Sequence, residues 1–366
     1  MASATAHRPD RSRRRGPSTD GDGETPDRRC IRPVLWWAGT GAFFLALQAY
    51  VYLAWITSDN FRPTPLGADP VPSGEKVWAW FLQTACTLGA VIVAVWIVRG
   101  CLRQRRLTLD AKLTLAWYSI VWLDPAGNFL RPQFMFNAYY VNRGSWVSNI
   151  PGWVSPNGHL FPDALLVEIP IYGSLVLVAV ASCALMRHMS HRRPRLGLFG
   201  LTAGTLAATA AFIIAFESIF CMRSGFASWS ATSVPGLTLW SGTRWQVPLM
   251  PDPLFWGAVM TSLAVLRYRS DDHGRTDVDR GIERVTTAPR MRTVLSTLAV
   301  IGFANLAMAI HTVPSVVGTL YLKETVPGLP SYLRSGLCGD DTPYKCPGRD
   351  VPIRLPHNQP TATVQR

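Results

Sequence analysis

Asp124, Glu168 and Glu217 sit in unusual company. They fall inside or at the ends of long apolar runs, in the segments LTLAWYSIVWLDPAGN, VEIPIYGSLVLV and AAFIIAFESIF. An ionisable group at such a place is costly and by default marks a site. Carboxyls withdrawn from water hold their protons to higher pH than in solution, which suits general acid work near neutrality. A second, ionised carboxylate nearby would supply the base. Tyr172 follows Glu168 by four residues and can share its helix face. Asn128 and Arg131 follow Asp124 at spacings of four and seven, which return to one side of a helix. A plainer reading stands beside each. Asp124 could be an N-cap with Pro125 as the first residue of a second helical piece. Glu168 and Glu217 could be interfacial carboxylates bonded to neighbouring helices.

Two stretches could complete a binding site. Segment 131–163 is dense in aromatics and amides: Phe134, Phe136, Tyr139, Tyr140, Trp146, Trp153 and His159 among Asn137, Asn142, Asn149 and Asn157. It reads either as an interfacial aromatic belt or as a lid over a cavity for a lipophilic, oxygenated ligand. A loop this long without disorder-prone composition leans toward the lid. His159 by itself is an ordinary surface histidine. Segment 222–252 adds Arg244, Trp245 and Gln246, and His311 closes the last apolar run, where helix-end histidines are commonly structural. No P-loop, GxSxG, HExxH or dinucleotide fingerprint occurs in a usable context, and no Cys/His pattern points to a metal.

The elements that position these groups follow from hydropathy. Of 366 residues, 48% are hydrophobic and only 16% charged, and the apolar excess is spread over runs of membrane-crossing length. These runs, 34–56, 78–98, 113–130, 164–186, 197–221, 253–268 and 292–312, predict an all-α polytopic bundle of about seven transmembrane helices. The third is interrupted at Asp124-Pro125, and a broken helix at membrane depth is tolerated only against protein or a water-lined cavity. Net charge is +13, with 32 of the 36 basic residues Arg. That balance could suggest nucleic acid, but the arginines cluster in loops 99–112, 187–196 and 267–293 and at the N-terminus, on one side of the spans. The positive-inside rule accounts for them, so no nucleic-acid partner is expected. The expected setting is the cell membrane, crossed many times, with the N-terminus cytoplasmic and the C-terminus outside.

Residues 1–33 read as a disordered basic tail, 34–313 as the membrane domain, and 314–366 as a polar C-terminal tail, unstructured or loosely docked. No cleavage site or twin-arginine signal stands out in the first stretch. Cys338 and Cys346 could bridge if the tail is extracytoplasmic. The other cysteines lie in apolar or basic stretches, where thiols pack or stay reduced.

Several of these stretches together resemble a known family. Leu123-Asp124-Pro125-Ala126-Gly127-Asn128, Tyr139-Tyr140, Gly144-Ser145-Trp146, Ile150-Pro151-Gly152-Trp153 and Pro156-Asn157-Gly158-His159 look like the central block of the AveC-like spirocyclases. Trp240-Ser241-Gly242-Thr243-Arg244-Trp245-Gln246-Val247-Pro248-Leu249 is similar to a second block. The likeness spans roughly residues 34 to 313. It implies an integral membrane enzyme of actinobacterial macrolide pathways of the avermectin, milbemycin and meilingmycin type, and the arginine bias fits such a GC-rich source. Such enzymes close a dihydroxy-ketone into a 6,6-spiroketal, and some also dehydrate it. The partners implied are a lipophilic polyketide and the bilayer. The resemblance carries no catalytic residue across.

The chemistry suits the residues independently. Spiroketal closure needs an acid to expel a hydroxyl, a base for the attacking hydroxyls and a shaped pocket that stabilises an oxocarbenium ion; it needs no cofactor. Asp124, Glu168 and Glu217 are the acid/base candidates, with Asn128, Tyr172, Arg244 and Gln246 orienting the substrate. Tyr139, Tyr140, Trp146, Trp153, His159 and Trp245 are candidate walls of the pocket. Two other readings stay open. A transporter or channel also uses buried carboxylates and a broken helix, and a seven-span receptor is compatible with the aromatic loop. Charge bias puts the polar cluster toward the outer half of the bilayer, whereas polyketides are made in the cytoplasm. A lipophilic substrate that reaches the site sideways from the bilayer, an inverted topology or a re-entrant third span would each reconcile the two.

Overall fold

The computed structural model describes residues 32–250, 252–322, 324–339 and 342–346. Most of the basic tail expected over 1–33 lies outside the described residues. Every expected apolar run becomes helix: α1 (Pro33–Ile56), α2 (Ser73–Gln104), α3 (Leu109–Ile120), α4 (Glu168–Ser174) followed directly by α5 (Val176–Arg192), α6 (Leu198–Phe216), α7 (Asp252–Tyr268) and α8 (Pro289–Gly318). Among the described residues, five stretches are long and apolar enough to cross a membrane: 33–56, 73–104, 168–192, 198–222 and 289–321. The third and sixth runs fall short, because α3 has 12 residues and α7 has 17, against the roughly 20 that a crossing needs. Seven runs therefore yield five membrane-length helices and two shorter ones.

Local chemistry starts these helices where they start. Proline occupies the first turn of α1 and of α8, where its missing N–H costs nothing. Thr108 caps α3 by accepting from the Ala111 N–H at 3.2 Å. The outward faces are as apolar as a hydrocarbon solvent requires, with Leu88, Val91, Ile92, Phe212 and Ile219 all exposed. Hydrophobicity cannot drive helices together in such a solvent, so close approach and polar contacts do so. Gly41 of α1 and Gly302 of α8 meet so tightly that a side chain at either would strike the other helix's backbone. Asn305 of α8 accepts from the Trp122 indole at 3.3 Å and donates to the Ser119 hydroxyl at 2.8 Å, and Thr209 and Thr261 join α6 to α7 at 2.9 Å.

The long loops are not structureless. Among the described residues, six short strands, β1 (Phe134–Phe136), β2 (Ala227–Trp229), β3 (Ala231–Thr232), β4 (Thr238–Leu239), β5 (Val247–Pro248) and β6 (Glu324–Thr325), form three antiparallel pairs: β1 with β2, β3 with β6 and β4 with β5. Met135 lies opposite Ser228, so the two aromatic loops share one layer. The C-terminal stretch joins the same layer. Helix α8 runs on through Pro314 to Gly318, and beyond it Val326, Leu329, Tyr332, Leu333 and Leu337 are buried. The Ser331 N–H donates to Asp69 at 2.7 Å, and Cys338 and Cys346 form a disulfide. From Val326 to Cys338 the tail is therefore docked. Its buried residues follow no helix or strand period, which hides them in the sequence.

Candidate active site

The third apolar run breaks as its sequence implies, but differently in detail. After α3 the chain tightens into a 3-10 helix, Val121–Asn128, with Pro125 inside it. Asp124 is therefore not the cap of a new helix. At three residues per turn, Asn128 sits about a third of a turn away from Asp124 instead of directly above it. The Asn128 side-chain oxygen accepts from the N–H groups of Gln133 (2.8 Å) and Phe134 (2.9 Å), which fixes the turn into β1. Arg131, placed beside it by the seven-residue spacing, is not among the residues that line the cavity described next.

A cavity of about 400 Å³ opens between the 3-10 helix, α4, the end of α6, α7 and α8. Asp124, Glu168 and Glu217 all line it, together with Asn128 and Tyr172. Its walls are mostly apolar, with Phe134, Phe136, Phe216, Phe226 and Trp229 among the aromatic residues that line it. Leu177 of α5 and Phe212 of α6 line it as well, and both are also exposed on the outer surface of the bundle. The cavity thus has an apolar mouth facing where lipid would be.

The carboxyls differ in their partners. The Tyr172 hydroxyl donates to Asp124 across a short hydrogen bond, which couples α4 to the 3-10 helix. Glu168 is 4% exposed, and neither of its side-chain oxygens has a hydrogen-bond partner among the described residues. Leaving a buried polar group unpaired costs roughly 1–3 kcal/mol, more if it is charged. Glu217 opens a π-helical turn, Glu217–Met222, at the end of α6; such turns recur at functional sites.

Three neighbours carry no motif in the sequence. Trp256 of α7 lines the cavity in contact with Tyr172 (ring centroids 5.7 Å) and Trp117 (5.8 Å), and stacks on His311 at 5.6 Å and 30°. His311, which also lines the cavity, is thus locked in an aromatic stack. Asp163 is fully buried just before α4, beside Ser145. Burial pushes its carboxyl well above the usual carboxylate range, and the Asp124 charge adds to this.

The remaining candidates lie outside the cavity lining, in the loop layer. Trp146 donates its indole N–H to the Trp122 carbonyl at 3.0 Å and packs edge-on against Tyr52 and Trp55. Tyr140 is buried against Phe226, and Tyr139 lies under the Lys76 ammonium. Trp153 packs on Phe129 and donates to the Ser155 carbonyl. Burial, with the Arg62 charge, lowers the affinity of the half-buried His159 for a proton. Gln246 is fully buried, donating to the Trp229 carbonyl at 2.9 Å and accepting from Gly242 at 3.1 Å. Arg244 pairs with Glu75 at 3.2 Å and lies over the Trp245 ring. Among the described residues, no three His, Cys, Asp or Glu side chains converge as a metal site.

The arrangement can bind a neutral lipophilic molecule by its apolar surface, bond one of its oxygens through Glu168, and face a developing cation with an indole. A family model described as Spirocyclase AveC-like matches residues 104–333, a stretch that contains every cavity residue named above. No curated protein and no solved structure matches the chain.

Proposed function

The chain belongs to the AveC-like spirocyclase family, and from that premise we propose that it closes a dihydroxy-ketone polyketide into a spiroketal with loss of one water. The observation that carries this reading is Glu168, buried without a hydrogen-bond partner among the described residues in a mostly apolar cavity that Asp124 and Glu217 also line. A site that leaves a carboxyl unpaired is built for a ligand that brings its own polar group, and a hydroxylated ketone brings three.

The reaction has two ring closures. One hydroxyl adds to the ketone carbon, and proton transfer gives a hemiketal. Protonation of the hemiketal hydroxyl lets it leave as water, forming an oxocarbenium ion; the second hydroxyl then attacks and gives up its proton. In this reading Glu168 handles the departing or attacking hydroxyl. Asp124, with one oxygen held by Tyr172, keeps the other free to act as its acid/base partner. Glu217 serves the second hydroxyl from the π-helical turn that ends α6. The indole face of Trp256, fixed by Tyr172, Trp117 and His311, stabilises the cation. Enclosure of the chain between rigid aromatic walls selects one face of attack. Dehydration of the spiroketal, where it follows, would require the same acid to expel a second hydroxyl. Atoms and protons balance without a cofactor.

In this reading the basic loops lie on the cytoplasmic side with the N-terminus, and the cavity then falls in the outer half of the bilayer. The mouth at Leu177 and Phe212 lets a membrane-dissolved substrate reach it sideways. The purified protein in bilayer discs, given the open-chain dihydroxy-ketone, should yield a product lighter by one water and of one stereochemistry by mass spectrometry. Conversion no faster than in empty discs, or a mixture of stereoisomers, would sink the reading.

A further inference from the structure

Two arginines share the ring of Trp245, and only one of them is neutralised. Arg244 lies over one side at 5.2 Å and is paired with Glu75 at 3.2 Å. Arg223 lies at 4.8 Å from the same ring and at 5.3 Å from Trp240, so two indoles hold its guanidinium. Arg223 is exposed, and its side chain makes no hydrogen bond or ion pair with any described residue. The Trp240 backbone adopts a left-handed conformation (φ 48°), uncommon for a bulky side chain.

The setting is apolar. Ile219 and Phe220, on the turn before Arg223, are 60% and 42% exposed, and Trp240 is 45% exposed. Arg223 is thus a cation held against two indoles, without a counter-ion among the described residues, at the end of a lipid-facing helix. The indoles offer its N–H groups no acceptor, so on this exposed residue they remain available as a planar fork, the geometry that matches two oxygens of a phosphate. A free anion would gain nothing from Ile219 and Phe220, whereas an acyl chain would cover them.

We propose that Arg223, Trp240 and Trp245 form a binding site for the phosphate of an anionic phospholipid, with its acyl chains along Ile219 and Phe220. The bound lipid would stand next to the turn that begins with Glu217, capping the bundle beside the cavity.

Native mass spectrometry of the protein released from discs of equal phosphatidylglycerol and phosphatidylcholine tests this. The wild type should retain phosphatidylglycerol over phosphatidylcholine, and Arg223→Gln should lower that preference about fivefold. Arg223→Lys, which keeps the charge but loses the fork, should fall between them. Arg143→Gln is the control: Arg143 is also exposed but lies over the single Phe61 ring at 5.9 Å, and its loss should leave the preference intact. Equal retention by wild type and Arg223→Gln would overturn the proposal, as would an equal loss in Arg143→Gln. So would inorganic phosphate that displaces the lipid and stays bound itself, since the site would then read a free anion.

Discussion

In the loop layer, Asn137, Asn142 and Gln246 are as deeply buried as the aromatic core around them, and every one of these amides is committed. Asn142 alone accepts from the N–H groups of Thr64 (2.9 Å) and Gly144 (3.1 Å) and donates to the carbonyls of Ala138 and Tyr140. In the cavity beside that layer Glu168 is equally buried, and both of its oxygens are unmet among the described residues. The two regions solve the same problem of polar groups out of water in opposite ways. Where the amides are satisfied, they hold irregular backbone together. Where the carboxyl is not, the protein tolerates a loss of stability that only a ligand can return.

The contrast breaks most visibly at Glu168. Glu168→Gln removes the proton-transfer group but keeps shape, so turnover should fall about 10²–10⁴-fold, while the melting temperature holds or rises. Retained turnover would place the chemistry elsewhere. Asn142→Ala should do the reverse. It orphans buried N–H and C=O groups of the loop layer and should lower stability by about 1–3 kcal/mol in denaturant titrations, with turnover per folded molecule preserved. Asp163 tests the boundary between the two regions, and its effect is the smallest. Its folded carboxyl is pushed up by burial, so the folded state holds a proton that the unfolded chain releases. Stability contributed by Asp163 is therefore lost as pH rises above the unfolded pKa of about 3.9. Asp163→Asn should be the more stable protein at pH of about 7, with the gap narrowing toward pH of about 4, in thermal melts across that range.

Much of the cavity was legible beforehand because ionisable residues in apolar runs are rare and conspicuous. Asp124, Glu168 and Glu217 converge, and the four-residue spacing put Tyr172 beside Glu168 on α4. Asn128 lines the cavity too, although the chain winds there as a 3-10 helix; the same period misleads at Arg131, which lies beyond the end of that helix and outside the lining. The aromatic loop also reads differently in three dimensions. A dense set of rings can line a ligand or pack on itself, and composition cannot separate the two. Here Trp146, Tyr140 and Trp153 pack on protein. Trp256 was invisible because one tryptophan in the apolar run of α7 matches any lipid-facing residue until Tyr172 and His311 are seen against it. Asp163 was hidden for a similar reason: it ends a polar loop, and only tertiary packing buries it.

The most direct test is a structure of the protein in bilayer discs with a non-cyclisable analogue of the dihydroxy-ketone, one carrying both hydroxyls but no reactive ketone. The expected result is the analogue in the cavity, a hydroxyl within hydrogen-bond distance of Glu168 and its central carbon over the Trp256 indole. An analogue seated instead among Tyr139, Trp153 and His159, with the Glu168 carboxyl still unmet, would contradict the account.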